Sequence, residues 1–370
     1  MRQKTERCER GPGSPDPRVT AVETVMPPYR YPQEEITTAL ARETLKESRA
    51  GTLMLHKIQA NIGVRTRHLS LPLEEFAALC ESDYFTRANR VWLETALELG
   101  EQALTQALRA AGVQPDEVDA VVSTTVTGLA VPSLEARLVH RIGLRKDVKR
   151  IPLFGNACAG GAAGLARLHD YLRAYPDQVA VLLAVELGSL GYLRKDGSMS
   201  NIIAASIFGD GVAAVVAVGG NRDEGATGPH MVDAESFLLP DSEDIVAVEI
   251  GTHGFKAVLS PEIPTLTEEH LPKVVQELLG RHGLTADQVA SWVVHGAGPK
   301  VFTAVERAFG LPPQMLEHTR RSLAERGNLA SVSVLDVLQM TMQTPPPPGA
   351  PGLVIAMGPG FAIELVLVRW

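Results

Sequence analysis

Two stretches of this sequence repeat one pattern, and that repetition limits the possible folds more than any other feature. GVQPDEVDAVVS begins at Gly112 and GLTADQVASWVVH begins at Gly283. Each runs Gly, then Asp four residues on (Asp116, Asp287), then Val two further (Val118, Val289), then an apolar run fit for a buried strand. Helical periodicity precedes both, in EQALTQALRAA and in LPKVVQELLGRH. The expected unit is a helix, a glycine C-cap, a turn shaped by the Asp, and a strand. A second pair, FGDGVAAVVAV at 208–218 and MGPGFAIELVLV at 357–368, shares a G-x-G turn before a run suited to a central strand. Alternating helical and strand patterns predict a layered α/β protein. Their repetition predicts two related halves packed about a pseudo-twofold axis, 19–225 and 226–370. The boundary is expected near 219–232, where GGNRDEGATGPH reads as a linker. The two pairs are unequally spaced, so the first half should hold an insertion, at 187–207.

Composition supplies the core these halves need and removes several function classes. Of 370 residues, 45% are hydrophobic and 21% charged, enough apolar surface for a large globular fold. A formal net charge of -8 gives no global attraction to nucleic acid or to anionic lipid. Cys8, Cys80 and Cys158 are the three cysteines, too few and too scattered for a disulfide framework or a cysteine zinc site. They suit a reducing cytosol. No apolar run approaches the roughly 20 residues that span a bilayer, and the N-terminus has no signal-peptide pattern, so the expectation is a soluble, cytoplasmic protein. Residues 1–18 mix charge with Pro and Gly and read as a flexible tail in which Cys8 is incidental.

Three residues stand out chemically. Cys158, in RIPLFGNACAGGAAGLARLHDYL, sits where an apolar strand meets a helix of very small residues. A thiol at a helix N-terminus feels the positive end of the helix dipole, which favours thiolate. His295 closes the apolar run SWVVHGAGPK before a Gly-rich turn, a place for a catalytic base. Asn328, in ERGNLASVSVLDVLQMT, offers an amide that donates hydrogen bonds without titrating. On the residues alone each has a plainer reading: a small buried hydrophobe, a satisfied core histidine, a helix N-cap. His140, His169, His270 and His282 fall in amphipathic contexts that predict surface positions, and His68 and His253 have no assignment. GDG at 209–211 and GAG at 296–298 lack the strand-linked G-x-G-x-x-G context of a nucleotide site and read as turns.

Taken in chain order, FGNACAGG, IFGDGVAAVV, HGFKAVLS after FLLPDSE, WVVHGAGP, RGNLASVS and the terminal MGPGF resemble the type III polyketide synthases. This is the chalcone-synthase-like family, here closest to its bacterial alkylpyrone and alkylresorcinol members. The similarity runs from about Val22 to Trp370. It implies a thiolase-like αβαβα fold of two duplicated halves, a Cys158–His295–Asn328 triad, and gatekeeper phenylalanines Phe208 and Phe255. It places the starter and cyclisation pocket near Thr127, Gly188, Gly191 and Ala204, and CoA-binding cations at Lys57, Arg65 and Arg67. It implies a homodimeric acyltransferase acting on malonyl-CoA and an acyl-CoA, with no metal and no cofactor beyond those thioesters. A carrier protein is possible but not indicated. The small pocket residues lead to the expectation of a medium- or long-chain fatty acyl starter and an alkylpyrone or alkylresorcinol product.

Two departures bear on substrate choice rather than on reacting groups: Asn-Ala before the cysteine, where bacterial relatives often have Leu-Gly, and His-Gly-Ala-Gly where plant members show His-Pro-Gly-Gly. The nearest alternative is a β-ketoacyl carrier-protein synthase III, which performs one condensation on the same triad. That family usually carries His-Gln-Ala-Asn at the histidine turn. A thiolase would need a second catalytic cysteine near the C-terminus, and the last cysteine here is Cys158.

Overall fold

The structure is a computed structural model that describes residues 15–44, 49–79, 83–191, 198–223, 225–251 and 254–370. Cys8, Cys80 and His253 lie outside the described residues. The N-terminal half runs β1 (Arg18–Val25), β2 (Tyr29–Pro32), α1 (Gln33–Thr44), α2 (Arg49–Ile62), β3 (Thr66–Leu69), α3 (Leu73–Leu79), α4 (Tyr84–Ala111), β4 (Val118–Thr125), α5 (Leu134–Ile142), β5 (Lys149–Phe154), α6 (Gly160–Ala174), β6 (Val179–Leu187), α7 (Met199–Ile207) and β7 (Asp210–Val218). The C-terminal half follows with β8 (His230–Leu238), β9 (Val246–Gly251), β10 (Gly254–Leu259), α8 (Ile263–Gly280), β11 (Ser291–Val294), α9 (Pro299–Phe309), α10 (Glu317–Arg326), α11 (Ser331–Gln343), β12 (Pro351–Gly358) and β13 (Ala362–Arg369).

The predicted duplication is visible in the strand order. In the first half the order is β1-β7-β6-β4-β5; in the second it is β8-β13-β12-β11. Antiparallel pairs β1/β7 and β7/β6 and the parallel pair β6/β4 match β8/β13, β13/β12 and β12/β11 in the same sense. The two sheets join at a single pair, Arg18 opposite His230.

Three apolar cores separate the layers. One packs α4 and α5 on the outer face of the first sheet, through Trp92, Leu99, Leu104 and Leu138. The central core packs α6 and α11 between the sheets, through Leu165, Leu168, Val334 and Leu338. The third packs α8 and α9 on the outer face of the second sheet, through Leu271, Val275, Phe302 and Val305. This is the expected αβαβα arrangement. Every residue of β6 and β7 is buried, because sheets covered on both faces read as continuous apolar runs.

The small residues of α6 are required by its central position. A Cβ on Gly161 would come within 2.2 Å of the Ser331 carbonyl oxygen, and one on Gly164 within 2.5 Å of the Leu182 side chain. Only glycine lets α6 cross α11 and β6 this closely.

Several local expectations are corrected. Gly112 caps α4 in the left-handed region (φ 68), but α8 ends at Gly280 and Gly283 (φ 64) lies in the turn beyond it. Residues flanking each Asp close the turns. Gln114 and Glu117 form one reciprocal capping box, and Thr285 and Gln288 form the other. The connection between halves is 219–229, since His230 already begins β8. Residues 15–18 are packed rather than loose: Asp16 pairs with Arg173 at 3.0 Å and Arg18 opens β1. Residues 1–14 of the expected tail lie outside the described residues. His169 is buried (9% exposed), not superficial, because it faces inward from the central helix α6. His140 is exposed; His270 and His282 are partly buried, and His282 bonds to Asp233 at 2.8 Å. The expected insertion is real. The β6–β7 connection occupies 188–209 and includes α7, whereas β12 and β13 are joined by Pro359–Phe361 alone.

Candidate active site

β5 ends at Phe154, and the chain reverses through Gly155 (φ 89) and Ala157 (φ 40) before a tight turn, Ala157–Ala159, leads into α6. Cys158 sits on that turn, half-buried. The end of β12 presses against it, since a Cβ on Gly358 would lie 2.7 Å from both the Ala159 Cβ and the Asn156 carbonyl oxygen.

The second half presents a parallel elbow. α10 ends at Gly327 (φ 78), and Asn328 follows. Its backbone is stitched to the end of α7: Asn328 N donates to Ile207 O at 2.8 Å, and Gly209 N donates to Asn328 O at 3.0 Å. Asn328 Oδ1 accepts from Ala330 N at 2.8 Å, and the Asn328 side chain is near enough to Cys158 to oppose the rise in the thiol's pKa. The N-cap position of α11 belongs to Ala330, so the capping role does not explain Asn328.

His295 follows β11, where its backbone N donates to Ile355 O at 2.9 Å. The ring is 1% exposed, and among the described residues neither ring nitrogen has a hydrogen-bond partner. A buried imidazole with both nitrogens unspent is costly in a purely structural role. His295 is not among the residues that line the cavity on which Cys158 and Asn328 open.

Electrostatics correct one expectation. Burial pushes the Cys158 thiol up to about 12, with the Glu186 charge adding to the rise and the Asn328 bond opposing it. Burial draws His295 down to about 4. The helix dipole offers a fraction of a charge, whereas desolvation acts on a whole one. Burial thus favours the thiol form of Cys158 and the neutral form of His295, and among the described residues no hydrogen bond joins the two.

Cys158 and Asn328 open onto a cavity of ≈ 150 Å³. Phe208, Phe255, Thr127, Gly188, Gly191 and Ala204 all line it, as expected. Phe255 lies edge-on to Phe85, with ring centroids 5.6 Å apart. Gly188 is glycine for packing as well as for volume: a Cβ there would sit 2.9 Å from the Phe208 Cβ. The three cations fare differently. Lys57 and Arg65 are exposed and line no part of this cavity. Arg67 is 2% exposed and lines it from within. It is not a cation at an entrance, because β3 carries it into the interior against α1 and α7.

Sequence reasoning missed Glu186. It stands in the all-apolar strand β6, lines the cavity, and accepts hydrogen bonds from Ser331 Oγ at 2.6 Å and Val126 N at 3.1 Å. Burial lifts its carboxyl to about 7. The signal was present as a lone acid inside VLLAVELGSL.

Comparison with known proteins gives one consistent result. The model of the N-terminal domain of chalcone and stilbene synthases matches residues 3–221, and that of their C-terminal domain matches residues 230–370. The 1,3,6,8-tetrahydroxynaphthalene synthase of Streptomyces peucetius subsp. caesius is 47% identical over 95% of this chain and 93% of its own. That of Streptomyces griseus is 32% identical over 93% of this chain and 91% of its own. The crystal structure of 1,3,6,8-tetrahydroxynaphthalene synthase from Streptomyces coelicolor A3(2), a bacterial type III polyketide synthase, superposes with a TM-score of 0.89. It is 29% identical and covers 95% of this chain and 99% of that one.

Proposed function

Because the chain belongs to the chalcone and stilbene synthase family, an acyltransferase family of type III polyketide synthases, we propose that it uses malonyl-CoA as both starter and extender and forms 1,3,6,8-tetrahydroxynaphthalene. The observation that carries this product is the 47% identity, over 95% of the chain, to a relative of that name. The carbon count agrees: five malonyl units, each losing carbon dioxide, supply the ten carbons of a naphthalene.

The site's residues account for each step of such a condensation. Cys158 attacks the starter thioester while His295 takes the thiol proton, exchanging one thioester for another at little thermodynamic cost. Decarboxylation of the next malonyl-CoA develops an enolate oxygen, and hydrogen bonds from His295 and from the Asn328 amide stabilise it. The resulting carbanion attacks the Cys158 thioester, and the lengthened chain passes to CoA for another cycle. Phe208 and Phe255 narrow the cavity and exclude water that would hydrolyse the thioester.

A second reading keeps a medium- or long-chain fatty acyl starter and an alkylpyrone or alkylresorcinol product. The far wall of the cavity favours it, since Ile36, Ala39, Leu40, Leu69, Leu73 and Phe76 are apolar and suit an alkyl chain. Lys57 and Arg65 remain contacts for CoA phosphates in either reading. A homodimer is supported by the edge strand β5, which leaves Phe154 51% exposed; light scattering of the purified chain tests it.

The deciding experiment supplies malonyl-CoA alone, then malonyl-CoA with acyl-CoAs of increasing length, and identifies products by mass. Tetrahydroxynaphthalene from malonyl-CoA alone supports the first reading. Products only with fatty acyl-CoA support the second, and a single-condensation β-ketoacyl product would return the synthase III alternative.

A further inference from the structure

Arg67 is the buried cation of the cavity, and its hydrogen bonds leave one nitrogen over. Nε donates to Gln33 Oε1 at 2.9 Å, and Nη1 donates to the carbonyl oxygens of Ala205 at 2.8 Å and Phe208 at 2.7 Å. Nη2 is buried and has no partner among the described residues. The stem is fixed too, lying where a Cβ on Gly327 would meet its Cγ and Cδ at 3.0 Å. Asp210 does not complete the guanidinium. Its carboxylate accepts from Ser70 N at 2.6 Å, from Ser189 N at 2.7 Å and from both hydroxyls.

The guanidinium is thus held rigidly by neutral acceptors, with both N–H of Nη2 unspent beside the gatekeeper Phe208. Burial draws its pKa down to about 10, partly offset by the Asp210 charge, which leaves it protonated at neutral pH. A buried charge with an unsatisfied donor destabilises the fold. That cost is recovered only when a ligand oxygen arrives.

The geometry points to Arg67 as a substrate-binding residue whose Nη2 donates to a β-keto or enolate oxygen of the chain growing on Cys158. This rests on the polyketide reading above. A poly-β-keto chain carries an oxygen on every second carbon, and the acidic carbons between them concentrate negative charge on those oxygens. Once a malonyl starter on Cys158 has lost its carbon dioxide, the acetyl group left has a single carbonyl, next to the sulfur. Only longer chains carry a further oxygen to Arg67, so the contact acts on late extensions and on how the chain folds, not on loading.

The test compares the full chain with Arg67→Lys and Arg67→Met by thermal melting, by acylation of Cys158 followed by mass, and by the spectrum of products. The expected result is Cys158 acylation within about threefold of the unmodified chain, with the ratio of truncated lactones to full-length product rising at least about tenfold, the factor that one charged hydrogen bond supplies. An unchanged ratio, whatever the overall rate, overturns the inference. So does a loss of loading equal to the loss of product, which would confine Arg67 to bracing Phe208 and Asn328. Should the variants fail to fold, a crystal of the unmodified chain carrying an unreactive diketide on Cys158 decides: an oxygen within about 3 Å of Nη2 supports the contact, and its absence refutes it. If the unmodified chain makes no polyketide, the proposed function fails as well, so the two failures are distinguishable.

Discussion

In the N-terminal half, Gly155, Asn156 and Ala157 turn the chain from β5 into Cys158 and α6. In the C-terminal half, Gly327, Asn328, Leu329 and Ala330 turn it from α10 into Ser331 and α11. Both elbows open on a left-handed glycine (φ 89 and 78) and hold a left-handed alanine, Ala157 (φ 40) and Ala330 (φ 45), just before Cys158 and Ser331. Ser331 therefore occupies the nucleophile's place in the second copy, and its hydroxyl is spent on Glu186. The duplicated fold made two elbows that meet at one cavity. One carries Cys158 and the other Asn328, and His295 follows β11 in the second half. The halves differ also in the β6–β7 connection, where α7 and Gly188–Gly191 build a cavity wall that the short β12–β13 turn cannot.

That comparison breaks most visibly at the two equivalent hydroxyl and thiol positions. Cys158→Ala should lower polyketide formation by at least about a thousandfold, while Ser331→Ala should retain it within about tenfold, both followed by product mass. Equal loss would mean that the halves share the covalent role. Next in size, Asn328→Ala should slow malonyl-CoA decarboxylation on the order of a hundredfold or more; release of carbon dioxide at an unchanged rate would remove Asn328 from the enolate site. Gly161→Ala tests the crossing of the two central helices. With a Cβ forced to 2.2 Å from Ser331 O, the chain should lose about 2–3 kcal/mol in urea unfolding.

Glu186 links the halves through its charge. Its folded pKa, about 7, lies above the ordinary 4.5, so its contribution to stability is present below about pH 4.5 and is lost as pH rises through 7. Glu186→Gln keeps an oxygen for Ser331 and does not titrate. Relative to the unmodified chain it should gain on the order of 1–3 kcal/mol between pH 5 and pH 8, measured by melting at both; a parallel pH dependence would show that Glu186 is ionised throughout. The smallest effect should come from Ala157→Gly and Ala330→Gly. Each relieves a left-handed alanine and should stabilise by about 0.5 kcal/mol, glycine's own entropy offsetting the rest. Gains of opposite sign would show that the elbows carry strain differently.

Much of the fold was legible because a duplication writes the same local instruction twice. The GVQPDEVD and GLTADQVA segments each specify a turn and a strand through capping boxes that need no distant partner. The turn details were misassigned where a side chain beyond the obvious one did the bonding, as Gln114 and Glu117 do beside Asp116. Cys158, His295 and Asn328 were legible as candidates because strand ends and Gly-rich turns mark each locally, while only the family resemblance joined them as a triad. Arg67 was misplaced because an arginine two residues from the exposed Arg65 looks superficial until β3 is seen to turn inward.

By itself the sequence determined the two-halved α/β plan and the small-residue path of α6. These follow from periodicity, turn chemistry and residue size, all of which are written along the chain. The tertiary structure alone decided that burial disfavours charge on Cys158 and on His295, that Glu186 titrates near neutrality, and that Arg67 holds spare donors inside the cavity. Each of these depends on burial and on neighbours more than a hundred residues away. Desolvation and hydrogen-bond completion are properties of the assembled interior, not of any local segment.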